Sequence, residues 1–134
     1  MDCIFCSIIR GDAPSWGVFE DDVAVAFLDT GAATRGHTLV VPRVHSPDIW
    51  SVTEDGAAAI MRTVHRVAAQ LRRTLQPAGM NVIQSNGPAA WQDVFHYHVH
   101  LVPRYAGDDV RPPWRPTNPS SDVLAAVHRR VRDH

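Results

Sequence analysis

Two short stretches of this chain are dense in side chains that attack, donate or ligate: His96-Tyr97-His98-Val99-His100 and Cys3-Ile4-Phe5-Cys6. On a β-strand successive side chains alternate faces. His96, His98 and His100 then point one way, roughly 7 Å apart, while Tyr97, Val99 and Leu101 point into a core. Three imidazoles in a row on one face impose solvation and charge costs that a purely structural strand avoids, so the stretch reads as a site. A neutral imidazole attacks with a lone pair that needs no deprotonation near pH 7. The thiol pair admits three readings. A redox pair would open a helix in a thioredoxin-like setting, which is missing here. Buried free thiols are the second. The third is a metal knuckle, for which His45 and His96 supply the two further ligands of a tetrahedral Cys₂His₂ set.

One domain must position these groups, because 134 residues suffice for one core and not for two. Hydrophobic residues make up 45% and charged residues 20%, the balance of a soluble globular chain. Thirteen basic residues nearly cancel fourteen acidic ones, so bulk charge offers no basis for nucleic-acid binding. No apolar run is long enough to span a bilayer, and the first residues lack the basic head and long apolar run of a signal peptide. With two cysteines and no export signal, the expected address is the cytoplasm.

Periodicity predicts the scaffold. Residues 3–10 form a short helical turn with Ile4, Phe5, Ile8 and Ile9 on one patch, broken by Gly11-Asp12-Ala13-Pro14. Trp16–Glu20 and Val23–Asp29 make a hairpin about Asp21-Asp22, and Thr38–Val41 is a third strand ended by Pro42. Thr53 caps a helix whose Ile60, Val64, Val67, Ala68, Leu71 and Leu75 recur at helical spacing, with Arg62, Arg66, Arg72 and Arg73 largely off that stripe. Gln76-Pro77-Ala78-Gly79 stops it. Asn81–Gln84 is the fourth strand and Val94–Pro103 the fifth. After the stiff Pro112–Pro116 segment, Ser120 or Ser121 caps a final helix carrying Val123, Leu124, Val127 and Val131. Without β-α-β alternation, five strands and two principal helices predict an α+β fold on an antiparallel sheet. The expected domain spans 1–134, with a core of about 3–105 and a tail over 106–134.

The chain resembles the histidine-triad (HIT) superfamily of nucleotide hydrolases and transferases. The matching pieces are Cys3-Ile4-Phe5-Cys6, Phe27-Leu28-Asp29, Gly36-His37-Thr38-Leu39-Val40-Val41-Pro42, His45, Asn86-Gly87 and Gln92 through Arg104, in family order. The resemblance implies a HIT fold of the bacterial type with a Cys-x-x-Cys zinc knuckle, and a homodimer whose sheets join. It implies that His98, its ring held by a backbone carbonyl, attacks the α-phosphate of a purine nucleotide conjugate such as an AMP phosphoramidate. Water then cleaves a nucleotidyl-histidine intermediate. His100, His37 and Gln92, with a backbone N–H near residues 91–93, would donate to the phosphate oxygens. Asn86 would meet the ribose–phosphate region or serve as a turn residue beside Gly87. Asp29 would accept from the ribose hydroxyls or cap a turn. Ile4, Phe5, Ile8, Phe27, Leu28 and Leu39 would form the slot for the base. Cys3, Cys6, His45 and His96 would hold a structural zinc with no open position for water.

Dinucleoside polyphosphate hydrolysis is the close alternative. From another class comes a non-catalytic nucleotide-binding module stabilised by zinc. No nucleic-acid or membrane partner is expected. Arg104 would meet a distal phosphate or solvate a strand end, and Trp114 would pin the tail to its own domain or lie near a neighbouring subunit's site. Two positions depart from the family pattern. Trp91 stands where a glycine usually lets backbone approach phosphate. Asp93 stands where a hydroxyl often meets the leaving group, and an ionised carboxylate cannot donate.

Overall fold

The computed structural model describes residues 3–133. Helix α1 covers Ile4–Arg10; the Cys3 thiol accepts from the Cys6 N–H at its start, and Gly11 closes it in a left-handed conformation at φ 83°. Strands β1 (Gly17–Glu20) and β2 (Ala24–Leu28) form the expected hairpin. Asp21 at its turn accepts from the N–H groups of Val23 and Ala24 and from the Thr63 hydroxyl. Strand β3 is Thr38–Pro42. Helix α2, Glu54–Leu75, starts where the Thr53 hydroxyl accepts from the Gly56 N–H and ends at Gln76, which is left-handed at φ 50°. Strand β4 is Gly79–Gln84, β5 is Val99–Arg104, and α3 is Ser121–Arg132, capped by Ser120. A single turn of 3₁₀ helix covers Pro88–Ala90.

The sheet runs β1-β2-β3-β5-β4 with every neighbouring pair antiparallel. Its two faces follow from period-two alternation. Ala24, Ala26, Val40, Val99 and Leu101 face α2 and pack on Ile60, Val64, Val67 and Leu71, the stripe predicted from helical spacing. Phe27, Leu39 and Val41 face the other way and pack under Phe5 of α1. Register sets Phe27 beside Leu39 and Leu39 beside His100, so the histidine face is built on this second cluster.

Three expectations change. Strand β5 begins at Val99, not Val94, and contains only His100 of the three histidines. The Tyr97 N–H donates to the Ser46 carbonyl at 2.6 Å, so the lead-in backbone is held by the 44–48 loop and not by β3. Alternation nevertheless persists: Tyr97 joins the α2-side core while the rings of His96 and His98 lie against Phe5. Arg104 is held on its own strand end, donating to Asp108 at 2.9 and 2.6 Å, to Asn81 at 3.0 Å and to the Val110 carbonyl at 2.8 Å. It is therefore not poised for a distal phosphate. Trp114 is 73% exposed and does not pin the tail, and no residue of α3 is buried. Among the described residues no helix is long and apolar enough to cross a membrane.

Candidate active site and metal centre

The protonation pattern of the histidines follows from which neighbours can only donate or only accept. His98 lies 2.7 Å through Nδ1 from the His96 carbonyl. A carbonyl only accepts, so Nδ1 carries the proton and Nε2 keeps a bare lone pair. That nitrogen lies 3.9 Å from Oδ1 of Asp93, whose side chain is 84% exposed, so the lone pair sits at the edge of solvent although the ring is buried.

His37 is fixed in the opposite sense. Its Nδ1 accepts from the Ala33 N–H at 3.0 Å, which leaves the proton on Nε2. Nε2–H donates to His100 Nδ1 at 2.9 Å and lies 3.5 Å from Asp29 Oδ2. His100 therefore accepts at Nδ1 and keeps Nε2–H as its own donor. Burial, followed by the neighbouring His98 and His37 imidazoles, pushes His100 down to about 4 against the opposing pull of Asp29 and Asp93. Burial lowers His37 as well, against the pull of Asp29. The result is a directed chain, Ala33 to His37 to His100, ending in a neutral imidazole whose ring centroid is 5.0 Å from that of His98. Asp29, His37 and His100 are also within ligating reach of one ion.

The other end of the run forms a separate centre. His96 donates from Nε2 to the Pro42 carbonyl at 2.8 Å, so its Nδ1 is bare. Burial, opposed by that carbonyl, lowers His96 and favours the neutral ligand form. Nδ1 lies 3.4 Å from Cys3 Sγ, 3.6 Å from Cys6 Sγ and 3.1 Å from His45 Nδ1, and Cys6 Sγ is 3.5 Å from His45 Nδ1. A tetrahedral ion at ordinary thiolate and imidazole bond lengths sets sulfur–nitrogen edges at about 3.5 Å. The four residues fit such an ion, and the Pro42 carbonyl orients His96 as an outer partner orients a metal-bound imidazole.

Several predicted residues do other work. The Gln92 amide accepts from the Gly87 N–H at 2.7 Å and donates to the carbonyls of Pro47 at 2.6 Å and Val94 at 3.1 Å. Both of its N–H groups are bonded to these carbonyls, so it ties the 44–50 and 86–95 loops together. The N–H groups of Trp91 and Gln92 are likewise bonded, to Pro88 and Gly87. Asn86 links the same loops, accepting from the Ile49 N–H at 2.7 Å and exchanging bonds with Gln84. Asp29 turns the chain through Oδ1, which accepts from the Gly31 N–H at 2.8 Å, and keeps Oδ2 toward His37.

Of the residues expected to form an apolar slot, Phe5, Phe27 and Leu39 come together in one buried cluster with Ile8 packed against it. Leu28 does not join them, because alternation along β2 sends it to the side of Ala24 and Ala26. Ile4 is 51% exposed. The Phe5 ring meets those of Phe27, His96 and His98 edge-on, bracing both histidines. Neither this brace nor the Ala33 amide was named from sequence. A backbone donor has no side-chain signature, and an apolar residue between two thiols reads as core.

Comparison with known proteins completes the picture. The HIT domain family matches residues 10–107. "Protein hit" of Bacillus subtilis is 43% identical over 115 residues, 85% of this chain and 79% of that protein. "Adenylylsulfatase HINT3" of Arabidopsis thaliana is 35% identical over 80% of this chain and 54% of its own length. The crystal structure of a HIT family member from Bacillus subtilis superposes with TM-score 0.92 at 36% identity, covering 100% of this chain and 97% of that one. A histidine triad nucleotide-binding protein from Candida albicans gives 0.87 at 29% identity over 98% and 96%. A zinc-bound histidine triad family protein from Mycobacterium smegmatis gives 0.79 at 34% identity over 100% and 99%. With the family's domain spanning most of its length and its fold matched over the whole chain, this protein belongs to the HIT family.

Proposed function

We propose that the protein is a nucleotide hydrolase or transferase acting at the α-phosphate of purine nucleotide conjugates, AMP phosphoramidates foremost. The observation that carries this reading is the 2.7 Å bond from His98 Nδ1 to the His96 carbonyl, which leaves Nε2 bare. In the first step that lone pair bonds to phosphorus, the phosphorus–nitrogen bond of the conjugate breaks, and the departing amine takes a proton from water. In the second, water attacks the nucleotidyl-imidazolium, the phosphorus–Nε2 bond breaks, and a proton passes to solvent. His100 Nε2–H serves charge developing on the equatorial oxygens, while His37 Nε2–H holds the His100 ring through its Nδ1. Asp29 takes the ribose hydroxyls, and Phe5, Ile8, Phe27 and Leu39 take the base. Relatives named an adenylylsulfatase and a nucleotide-binding protein support chemistry on a nucleotide.

Cys3, Cys6, His45 and His96 hold a structural zinc in this reading, supported by their mutual distances and by the zinc-bound relative. A homodimer is supported by apolar residues left on the outside: Val82 and Ile83 on edge strand β4, and Val123, Leu124, Val127 and Val131 on α3. Two assays separate the alternatives. The purified protein is incubated with the butylamide of AMP and with a diadenosine polyphosphate, and AMP release is followed. Faster release from the butylamide is expected, since Arg104 is tied to Asp108 and no longer favours the polyphosphate. Release from neither, with nucleotide still bound, would make the protein a binding module.

A further inference from the structure

Among the described residues Asp93 is the carboxylate nearest the attacking nitrogen, and the two proposed steps do not use it. Its Oδ1 lies 3.9 Å from His98 Nε2, and its charge reaches His100 as well. Burial alternates through the preceding segment: Trp91, Asp93 and Phe95 are exposed, while Gln92, Val94 and His96 turn inward. Gln92 holds this segment by three hydrogen bonds, so the outward set of Trp91, Asp93 and Phe95 is fixed in place. Trp91 keeps φ at 71°, a conformation natural to glycine, and remains 64% exposed; Phe95 is 48% exposed. A carboxylate flanked in the chain by two exposed aromatic rings forms an acidic, aromatic rim.

Attack and departure at phosphorus are roughly in line, so whatever leaves does so on the side away from Nε2 and toward solvent. Asp93 stands between the buried nucleophile and that solvent. A fixed negative charge a few ångströms from the path attracts a positive leaving group and repels a polyphosphate, and aromatic faces favour cations too. Resting on the proposed function, we infer that this rim is a leaving-group subsite selecting nucleotide conjugates whose leaving group carries a positive charge, such as an amine bearing a second ammonium, and rejecting anionic ones.

The test uses the full-length protein and three AMP donors: the 2-aminoethylamide, with a pendant ammonium; the butylamide, which is neutral; and diadenosine tetraphosphate, whose leaving group is anionic. The subsite predicts wild-type kcat/KM in that order, with the ammonium compound about tenfold above the butylamide at low salt, narrowing in about 0.5 M NaCl. In Asp93→Asn the ammonium advantage falls to within about twofold and diadenosine tetraphosphate gains about fivefold. Asp93→Ser gives the same direction, separating charge from size, and both variants keep the wild-type melting temperature because the side chain is exposed. Selectivity ratios in Asp93→Asn that stay within about twofold of wild type overturn the subsite while butylamide turnover upholds the parent reading. Failure to release AMP from any of the three overturns both.

Discussion

His96, His98 and His100 are three copies of one side chain given three roles by what each nitrogen touches. The Pro42 carbonyl takes the Nε2 proton of His96 and bares Nδ1 toward the thiols; the His96 carbonyl takes the Nδ1 proton of His98 and bares Nε2 toward solvent. His100 accepts at Nδ1 and is left as a donor. Replacement of His98 by alanine is expected to lower turnover on the order of a thousandfold or more, with the melting temperature changed far less. His100 makes a second, pH-dependent prediction. Its folded value, about 4, lies below the ordinary imidazole value of 6.5, so between these limits the unfolded chain binds the extra proton. This contribution to stability is present above the unfolded value, is lost as pH falls through that window, and levels off below about 4. Urea midpoints for wild type and His100→Asn across that range check it: the wild type should lose more on acidification than the variant. A parallel pair of curves would contradict the assignment.

At the scale of elements, the scaffold was legible wherever a period or cap fixes it. Thr53 and Ser120 cap their helices, the Ile60–Leu71 stripe packs on the sheet, and the strands alternate as read. What sequence could not supply was the use of polar side chains in loops. Gln92 and Asn86 have amides equally suited to phosphate or protein, and only the folded loops show Gln92 bonded to the backbone of Gly87, Pro47 and Val94, and Asn86 to the Ile49 N–H and the Gln84 amide. The start of β5 was misplaced for a related reason: alternation of side chains continues through His96–His98 while the backbone bonds to the 44–48 loop. Gln92→Ala should destabilise the protein by about 1–3 kcal/mol, because three backbone groups lose their partner, and should raise KM as the two loops separate. Chemical denaturation and steady-state kinetics test both. At Trp91 the left-handed backbone predicts that Trp91→Gly is more stable than Trp91→Ala by about 1 kcal/mol. Equal stabilities would mean that φ at this position relaxes.

For the molecule as a whole, the two centres share one short stretch of chain. His96 belongs to the group proposed to hold zinc and its carbonyl holds the His98 ring, so loss of an ion at Cys3, Cys6, His45 and His96 should be felt at the proposed nucleophile. Metal analysis is expected to give one zinc per chain, and Cys3→Ser to lower both the metal content and the melting temperature. A metal-free protein of undiminished stability would remove the ion from the account. The measurement that bears most directly on the central claim is mass spectrometry of acid-sensitive adducts. Wild-type protein mixed with an AMP phosphoramidate is quenched at neutral pH within one turnover and digested. One adenylyl group is predicted on the peptide containing His98, localised to that residue, labile to acid and absent from His98→Ala. An adenylyl group on any other residue, or one that persists in His98→Ala, would contradict it.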